Sequence, residues 1–124
     1  MIATRSTLRC ALLLILAPQA FAHHSGAIFE DQKSTTLSGT VKAFQWTNPH
    51  CWIQLLVAGD NGASVEWSLE GGSPNILGRN GWKRTVLAPG DHVTVLIYPL
   101  KTGEPGGSFL EVHKADGTVL YYHG

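Results

Sequence analysis

The chain has 124 residues, of which 44% are hydrophobic and 15% charged, and its nine basic residues balance nine acidic ones. This length is enough to bury one hydrophobic core but not two, so a single small domain is expected. The balanced charge argues against nucleic-acid and anionic-membrane partners, because both require a basic patch.

The first 22 residues have the three parts of an export signal. Arg5 and Arg9 precede a short apolar run at 11–17, and Ala20 and Ala22 form the small-x-small pattern at which signal peptidase cuts. The apolar run is far shorter than the ~20 residues that cross a bilayer, and the sequence holds no second candidate. We therefore predict a signal peptide at 1–22, cleaved after Ala22, and a periplasmic or secreted protein with no membrane span after processing.

Cleavage after Ala22 would make His23 the amino-terminal residue. It would leave 102 residues with seven basic and nine acidic side chains, a net charge of −2, since two arginines leave with the signal peptide. The polar residues 23–35 are predicted to form a flexible lead-in to one domain at 36–124. Cys51 would be the remaining cysteine, expected as a small buried hydrophobic residue, with a thiolate ligand as the alternative.

Alternating apolar and polar residues predict strands along most of this domain. In the first strand, Leu37, Gly39 and Val41 share one parity, but the apolar residues change parity at Phe44 and Trp46. Such a switch indicates a bulge or sharp bend, as a closing sheet requires. The predicted strands are 36–46, 51–57, 64–70, 92–98, 109–113 and 119–122.

A short helix of about two turns is predicted between the third and fourth strands. Ser73 is a good N-cap, Pro74 suits the first helical position, and Asn80-Gly81 is a typical left-handed stop. Ile76 and Leu77 would supply its apolar contacts. Three strands, a helix and two strands is the element order of the OB-fold, so we expect an all-β, OB-fold-like barrel of five to six strands.

Three of the six histidines form a candidate metal site, His23, His24 and His50. An amino-terminal histidine offers its amine and a ring nitrogen to one ion, and a further imidazole completes a three-nitrogen site suited to copper. His50 lies in the tight turn Thr47-Asn48-Pro49-His50, and a lead-in of about a dozen residues can extend ~40 Å towards it. The alternative is a solvated tail at His23-His24 and an imidazole that bonds its own turn.

A second hypothesis uses the aromatic residues around the same turn. Trp46 and Trp52 flank it, and together with Asn48 they would line a groove for a small ligand, a peptide, a glycan or an envelope protein without any metal. Core packing is the alternative role for these tryptophans. The expected partner is thus a metal ion or small ligand, with an envelope protein as a further candidate.

Enzymatic activity finds little support in the sequence. Glu66, Glu70 and Asp91 match no nucleophile–base pattern, and Gly71-Gly72-Ser73-Pro74 is neither a nucleophile elbow nor a phosphate loop. No catalytic residue is assigned. A copper-dependent oxidative enzyme with a histidine brace is a less favoured third option, because the barrel is small and no substrate surface can be identified.

The combination of short motifs resembles one group of proteins over the whole mature chain. These motifs are Ala22-His23-His24-Ser25, Trp46-Thr47-Asn48-Pro49-His50, Gly72-Ser73-Pro74-Asn75, Gly81-Trp82 and Pro89-Gly90-Asp91. The chain resembles a family of small exported bacterial proteins of unknown function. The resemblance implies no reaction, but it marks His23, His24 and His50 as part of the family pattern and leaves His92, His113 and His123 outside it.

Overall fold

The computed structural model describes residues 28–31 and 33–122, and these form an all-β domain with one short helix. The elements occur in the predicted order, with the helix between the third and fourth strands. Their bounds are β1 Thr35–Gln45, β2 Trp52–Ala58, β3 Ser64–Glu70, α1 Pro74–Arg79, β4 His92–Pro99, β5 Gly106–Lys114 and β6 Val119–Tyr121. None of the helices in these residues is long and apolar enough to cross a membrane.

The strands form a closed barrel, as expected of an OB-fold-like protein. Their order is β3-β2-β1-β4-β5-β6, and a short parallel pairing between β3 and β5 closes the first five into a cylinder. All other neighbouring strands are antiparallel, and β6 is an extra strand beside β5. The predicted fold class is confirmed.

The bend predicted in β1 is present. The register of β1 against β2 shifts between Val41 and Ala43, so one extra residue on β1 faces no partner in this ladder. Residues 35–40 pair with β4, whereas Thr40, Val41 and Ala43–Gln45 pair with β2. Such a bulge increases the local twist of a strand, which lets β1 take part in two sides of a small barrel.

The core is filled by the side chains that point inward from each strand. Val93, Val95 and Ile97 face it from β4, as the alternation predicted. The buried Trp82 and Phe109 rings lie across its end with centroids 5.2 Å apart, and Trp82 Nε1 donates a 2.8 Å hydrogen bond to the carbonyl of Tyr121. This bond satisfies the indole N–H and ties the loop after α1 to β6. The other core side chains include Val41, Cys51, Ile53, Leu55, Leu69, Leu77 and Val112.

The helix begins and ends at the predicted residues. The hydroxyl of Ser73 accepts a 3.3 Å bond from the amide of Ile76, and Gly81 ends the helix with φ of +86°. Leu77 is buried, but Ile76 is 40% exposed, so the expected core contact of Ile76 is wrong. A helix of six residues packs only a narrow face against the barrel. Leu77 lies on this face, and Ile76 does not.

Candidate functional site

His50 is carried by a tightly bonded turn between β1 and β2. The Thr47 hydroxyl donates a 2.7 Å bond to the carbonyl of His50, and the Asn48–Pro49 peptide bond is cis. Directly after His50, the amide of Cys51 donates to the carbonyl of Gly72, at 2.8 Å, and the carbonyl of Cys51 accepts from the amide of Gly71, at 2.9 Å. The backbone at His50 is therefore held on both sides, by its own turn and by the segment after β3.

The imidazole of His50 contacts a carboxylate. Its Nδ1 lies in direct contact with Oε1 of Glu70, the last residue of β3. Register explains the meeting, because Glu70 pairs with Trp52 across the β2–β3 ladder and His50 lies two residues before Trp52 on the same parity. The side chain of Glu70 is 12% exposed and that of His50 is 36% exposed, so the pair is open to solvent on the imidazole side.

A cavity of about 210 Å³ lies beside this pair. Its walls are largely apolar, and Glu70 is the one residue with a charged side chain among those described along its lining. The lining residues are Ile28, Phe29, Trp52, Ser68, Glu70, Leu100, Pro105, Gly106 and Gly107. The cavity therefore joins the β2–β3 hairpin to the segment that precedes β1.

Residues Ile28 and Phe29, which belong to the predicted lead-in, are packed on the barrel. The carbonyl of Ile28 accepts a 3.0 Å bond from the amide of Lys101, and the amide of Glu30 donates a 2.8 Å bond to the carbonyl of Pro99. Phe29 forms an isolated bridge with Leu100 and is 7% exposed. The chain is thus anchored at the cavity only four residues after His24. His23 and His24 themselves lie outside the described residues.

The aromatic residues predicted to line one groove are separated. Trp52 lines the cavity, whereas Trp46 packs against the core and meets the ring of Phe44 edge-on, with centroids 5.8 Å apart. Asn48 is exposed at the tip of the turn. Of the three predicted ligand-binding residues, the structure brings Trp52 to a cavity and leaves Trp46 and Asn48 away from its lining.

Cys51 is a buried core residue. Its side chain has no exposed surface, and Sγ lies 3.9 Å from the carbonyl oxygen of Thr47. Burial raises the pKa of the Cys51 thiol, which opposes formation of a thiolate. The geometry fits the hydrophobic role expected of this cysteine better than a role as metal ligand.

Two glycines next to the site make room for aromatic rings. A Cβ atom on Gly71 would lie 2.0 Å from Cζ of Phe109, and one on Gly72 would lie 2.9 Å from the hydroxyl oxygen of Tyr122. Tyr122 therefore lies close to the segment that bonds Cys51. Burial, and secondarily the negative charge of Glu70, raises the pKa of the Tyr122 phenol. The Gly-Gly pair leaves the space that these two rings occupy.

Sequence reasoning did not assign to the site Glu70, which contacts His50, or Tyr122, which lies beside Gly72. Glu70 had a usable signal, since counting back along the hairpin from the Ala58–Ser64 pair gives Trp52 opposite Glu70. Tyr122 had none, because it is brought close by the pairing of β6 with β5 and by the contact of its ring with Phe109.

Two further histidines lie on another surface. His92 and His113 line an open groove of about 700 Å³ together with hydroxyl side chains of β1 and β4. Nδ1 of His92 lies 3.1 Å from the Thr40 hydroxyl, and Nε2 of His113 lies 3.5 Å from Oε2 of Glu111. Within residues 28–31 and 33–122, no three histidine, cysteine or acidic side chains converge as a metal-binding group.

Comparison with known proteins shows the family to which the chain belongs. No curated protein and no solved structure matches the chain. A family of unknown function, DUF6152, matches residues 11–109, which includes the turn that carries His50, the Gly-Gly segment and the capped helix. The chain belongs to this family of unknown function, DUF6152.

Proposed function

We propose that the chain is an exported protein that binds copper through His23, His24 and His50. The observation that carries the proposal is the anchoring of Ile28 and Phe29 beside Glu70, the residue that contacts His50. A signal-peptidase cut after Ala22 would set a free amine and two imidazoles at the start of this anchored segment. The export signal and the periplasmic location are part of the same proposal.

The anchor shortens the tether between the two halves of the site. Sequence alone allowed about a dozen free residues between His23 and the first strand. With Ile28 bonded to Lys101, His23 lies five residue steps from a fixed point, and these steps span at most ~18 Å.

The available donors favour a metal ion that prefers nitrogen ligands. The amine and the three imidazoles are all nitrogen ligands, and the buried thiol of Cys51 lies outside this set. Among divalent ions, copper binds such ligands most tightly. The negative charge of Glu70 beside His50 would add electrostatic support for a cation.

The test is a copper titration of protein that begins at His23. We expect one Cu(II) per chain, with nitrogen superhyperfine structure in the electron paramagnetic resonance spectrum. His50→Ala, and separately one extra alanine before His23, should each weaken binding at least tenfold. His113→Ala is the matched control, since it removes an exposed imidazole from the groove on the other surface. Binding that is unchanged in both His50→Ala and the extended protein would refute the proposal.

The cavity at Trp52 favours a second candidate, a metal-free binding module for a small apolar ligand. Its volume of about 210 Å³ would suit a ligand the size of one aromatic ring. Tryptophan fluorescence distinguishes the candidates. A response to small aromatic or aliphatic compounds in chelator-treated protein, lost in Trp52→Ala and unaffected by His50→Ala, would favour the module over the copper site.

A further inference from the structure

The contact between Glu70 and His50 has a direct consequence for the imidazole. A carboxylate offers acceptors and no donor, so Nδ1 of His50 must carry the hydrogen that the contact needs. In the neutral ring the lone pair is then confined to Nε2. Without the carboxylate, an imidazole in water can exchange freely between its two tautomers.

The two partners are fixed by backbone bonds rather than by each other. Glu70 lies between two strands, opposite Trp52 of β2 and opposite Ser108 of β5. The main chain at His50 is fixed by the Thr47 hydroxyl and by the bonds of Cys51 to Gly71 and Gly72. The side chain of Glu70 is largely buried, so its carboxylate is a rigid support for the imidazole of His50.

We infer that Glu70 is the positioning residue of the copper site, holding His50 as the Nδ1–H tautomer with Nε2 directed to the metal. This inference rests on the proposed function. It assigns the ligating atom of His50 and adds a carboxylate that the family motifs do not contain. A histidine that donates its second ring nitrogen to a carboxylate is a common support for a metal ligand, and loss of such a partner typically weakens metal binding about 10- to 100-fold.

A purely structural salt bridge would predict a different result. In that case Glu70→Ala would lower stability without changing copper affinity or the state of the imidazole ring. A carboxylate–imidazole contact on the other surface offers a control, because Oε2 of Glu111 lies 3.5 Å from Nε2 of His113. Glu111→Ala removes a carboxylate from a histidine that the proposed site does not use.

The first experiment uses metal-free protein that begins at His23. Long-range ¹H–¹⁵N correlation spectra at pH 8 report which ring nitrogen of His50 carries hydrogen. We expect the Nδ1–H form in the wild type and a shift towards the ordinary Nε2–H form in Glu70→Ala. Equal tautomer populations in the two proteins would overturn the inference, whatever the result with metal.

The second experiment measures copper affinity and the pulsed electron paramagnetic resonance signal of the remote imidazole nitrogen. We expect Glu70→Ala to weaken Cu(II) binding 10- to 100-fold and to alter the remote-nitrogen quadrupole coupling. Glu70→Gln, which keeps an acceptor oxygen, should lose less than tenfold, and Glu111→Ala should match the wild type. Full affinity in Glu70→Ala, or in Glu70→Leu if the alanine variant does not fold, would overturn the role of Glu70, because both changes remove the acceptor.

The two failures are distinguishable. If wild-type protein binds no copper while the Nδ1–H form of His50 depends on Glu70, the proposed function fails and the positioning contact stands as a feature of the fold. If wild-type protein binds copper and neither the affinity nor the remote-nitrogen signal responds to Glu70, the proposed function stands and the inference fails.

Discussion

Replacing Gly71 by alanine should destabilise the barrel, because the new methyl group would enter the space of a buried ring. The added Cβ would lie 2.0, 2.5 and 2.7 Å from three carbons of the Phe109 ring, whereas ordinary contact begins at 3.4 Å. The ring would have to retreat by about 1.4 Å. It has no free direction, since Phe109 is fully buried between Trp82 and Tyr122.

The expected cost follows from the overpacking. Inserting a methyl group into a packed core costs typically 1–3 kcal/mol, and we expect Gly71→Ala near the upper end, about 3 kcal/mol. For a domain of roughly 100 residues this lowers Tm by roughly 10 to 20 °C. Urea and thermal unfolding, followed by near-ultraviolet circular dichroism of the tryptophans, would measure it.

Gly78→Ala is the matched control. A Cβ on Gly78 meets nothing within 4 Å, and the residue lies in α1, so the alanine should stabilise the protein by about 0.5–1 kcal/mol. Combining Gly71→Ala with Phe109→Leu, which shortens the opposing side chain, should recover at least 1 kcal/mol relative to the sum of the single changes. A Gly71→Ala protein as stable as the wild type would refute the packing argument.

Three other predictions concern single side chains. The Cys51 thiol, whose pKa burial raises, should resist maleimide at pH 8 until urea unfolds the barrel; rapid labelling of folded protein would contradict its burial. The raised pKa means that the folded state keeps the Tyr122 proton to higher pH than the unfolded state. The contribution of Tyr122 to the free energy of unfolding is therefore complete below pH ~10 and is lost as pH rises through the raised pKa. In Tyr122→Phe, the free energy of unfolding should fall less steeply between pH 9 and 11. An unchanged slope would contradict the raised pKa of Tyr122. Ser73→Ala should cost about 1 kcal/mol in urea unfolding through loss of the bond to the Ile76 amide, whereas no loss would mean that the cap is not formed in solution.

Much of the fold was predictable because local rules decide it. The period-two alternation of β4 and the parity switch in β1 follow from which residues must face the core, and both are present. Ser73, Pro74 and Gly81 set the helix by local backbone chemistry. The exposure of Ile76 was not predictable, because a six-residue helix can present its neighbouring apolar residues to either side.

The candidate site was predictable only in part, because it depends on register between distant segments. The turn motif singled out His50, but the partner of its imidazole is fixed by the pairing of Trp52 with Glu70. The anchoring of Ile28 depends on bonds to Lys101, more than seventy residues away along the chain, which no local pattern encodes. The grouping of Trp46 with Trp52 followed from sequence proximity, but Trp52 pairs with Gln45, so Trp46 has the opposite parity in the ladder.

The parallel pairing of β3 with β5 is the narrowest joint of the barrel. It consists of three residue pairs, Ser68–Gly106, Leu69–Gly107 and Glu70–Ser108, and glycine contributes no side chain to the first two. Local opening of a small barrel is expected to begin at such a joint, where the least apolar surface and the fewest backbone bonds must be released. Glu70 and the wall of the cavity belong to this same joint. Any ligand bound there would stabilise the closed barrel against local opening. Amide hydrogen exchange at Ser68–Glu70 would therefore slow when it binds.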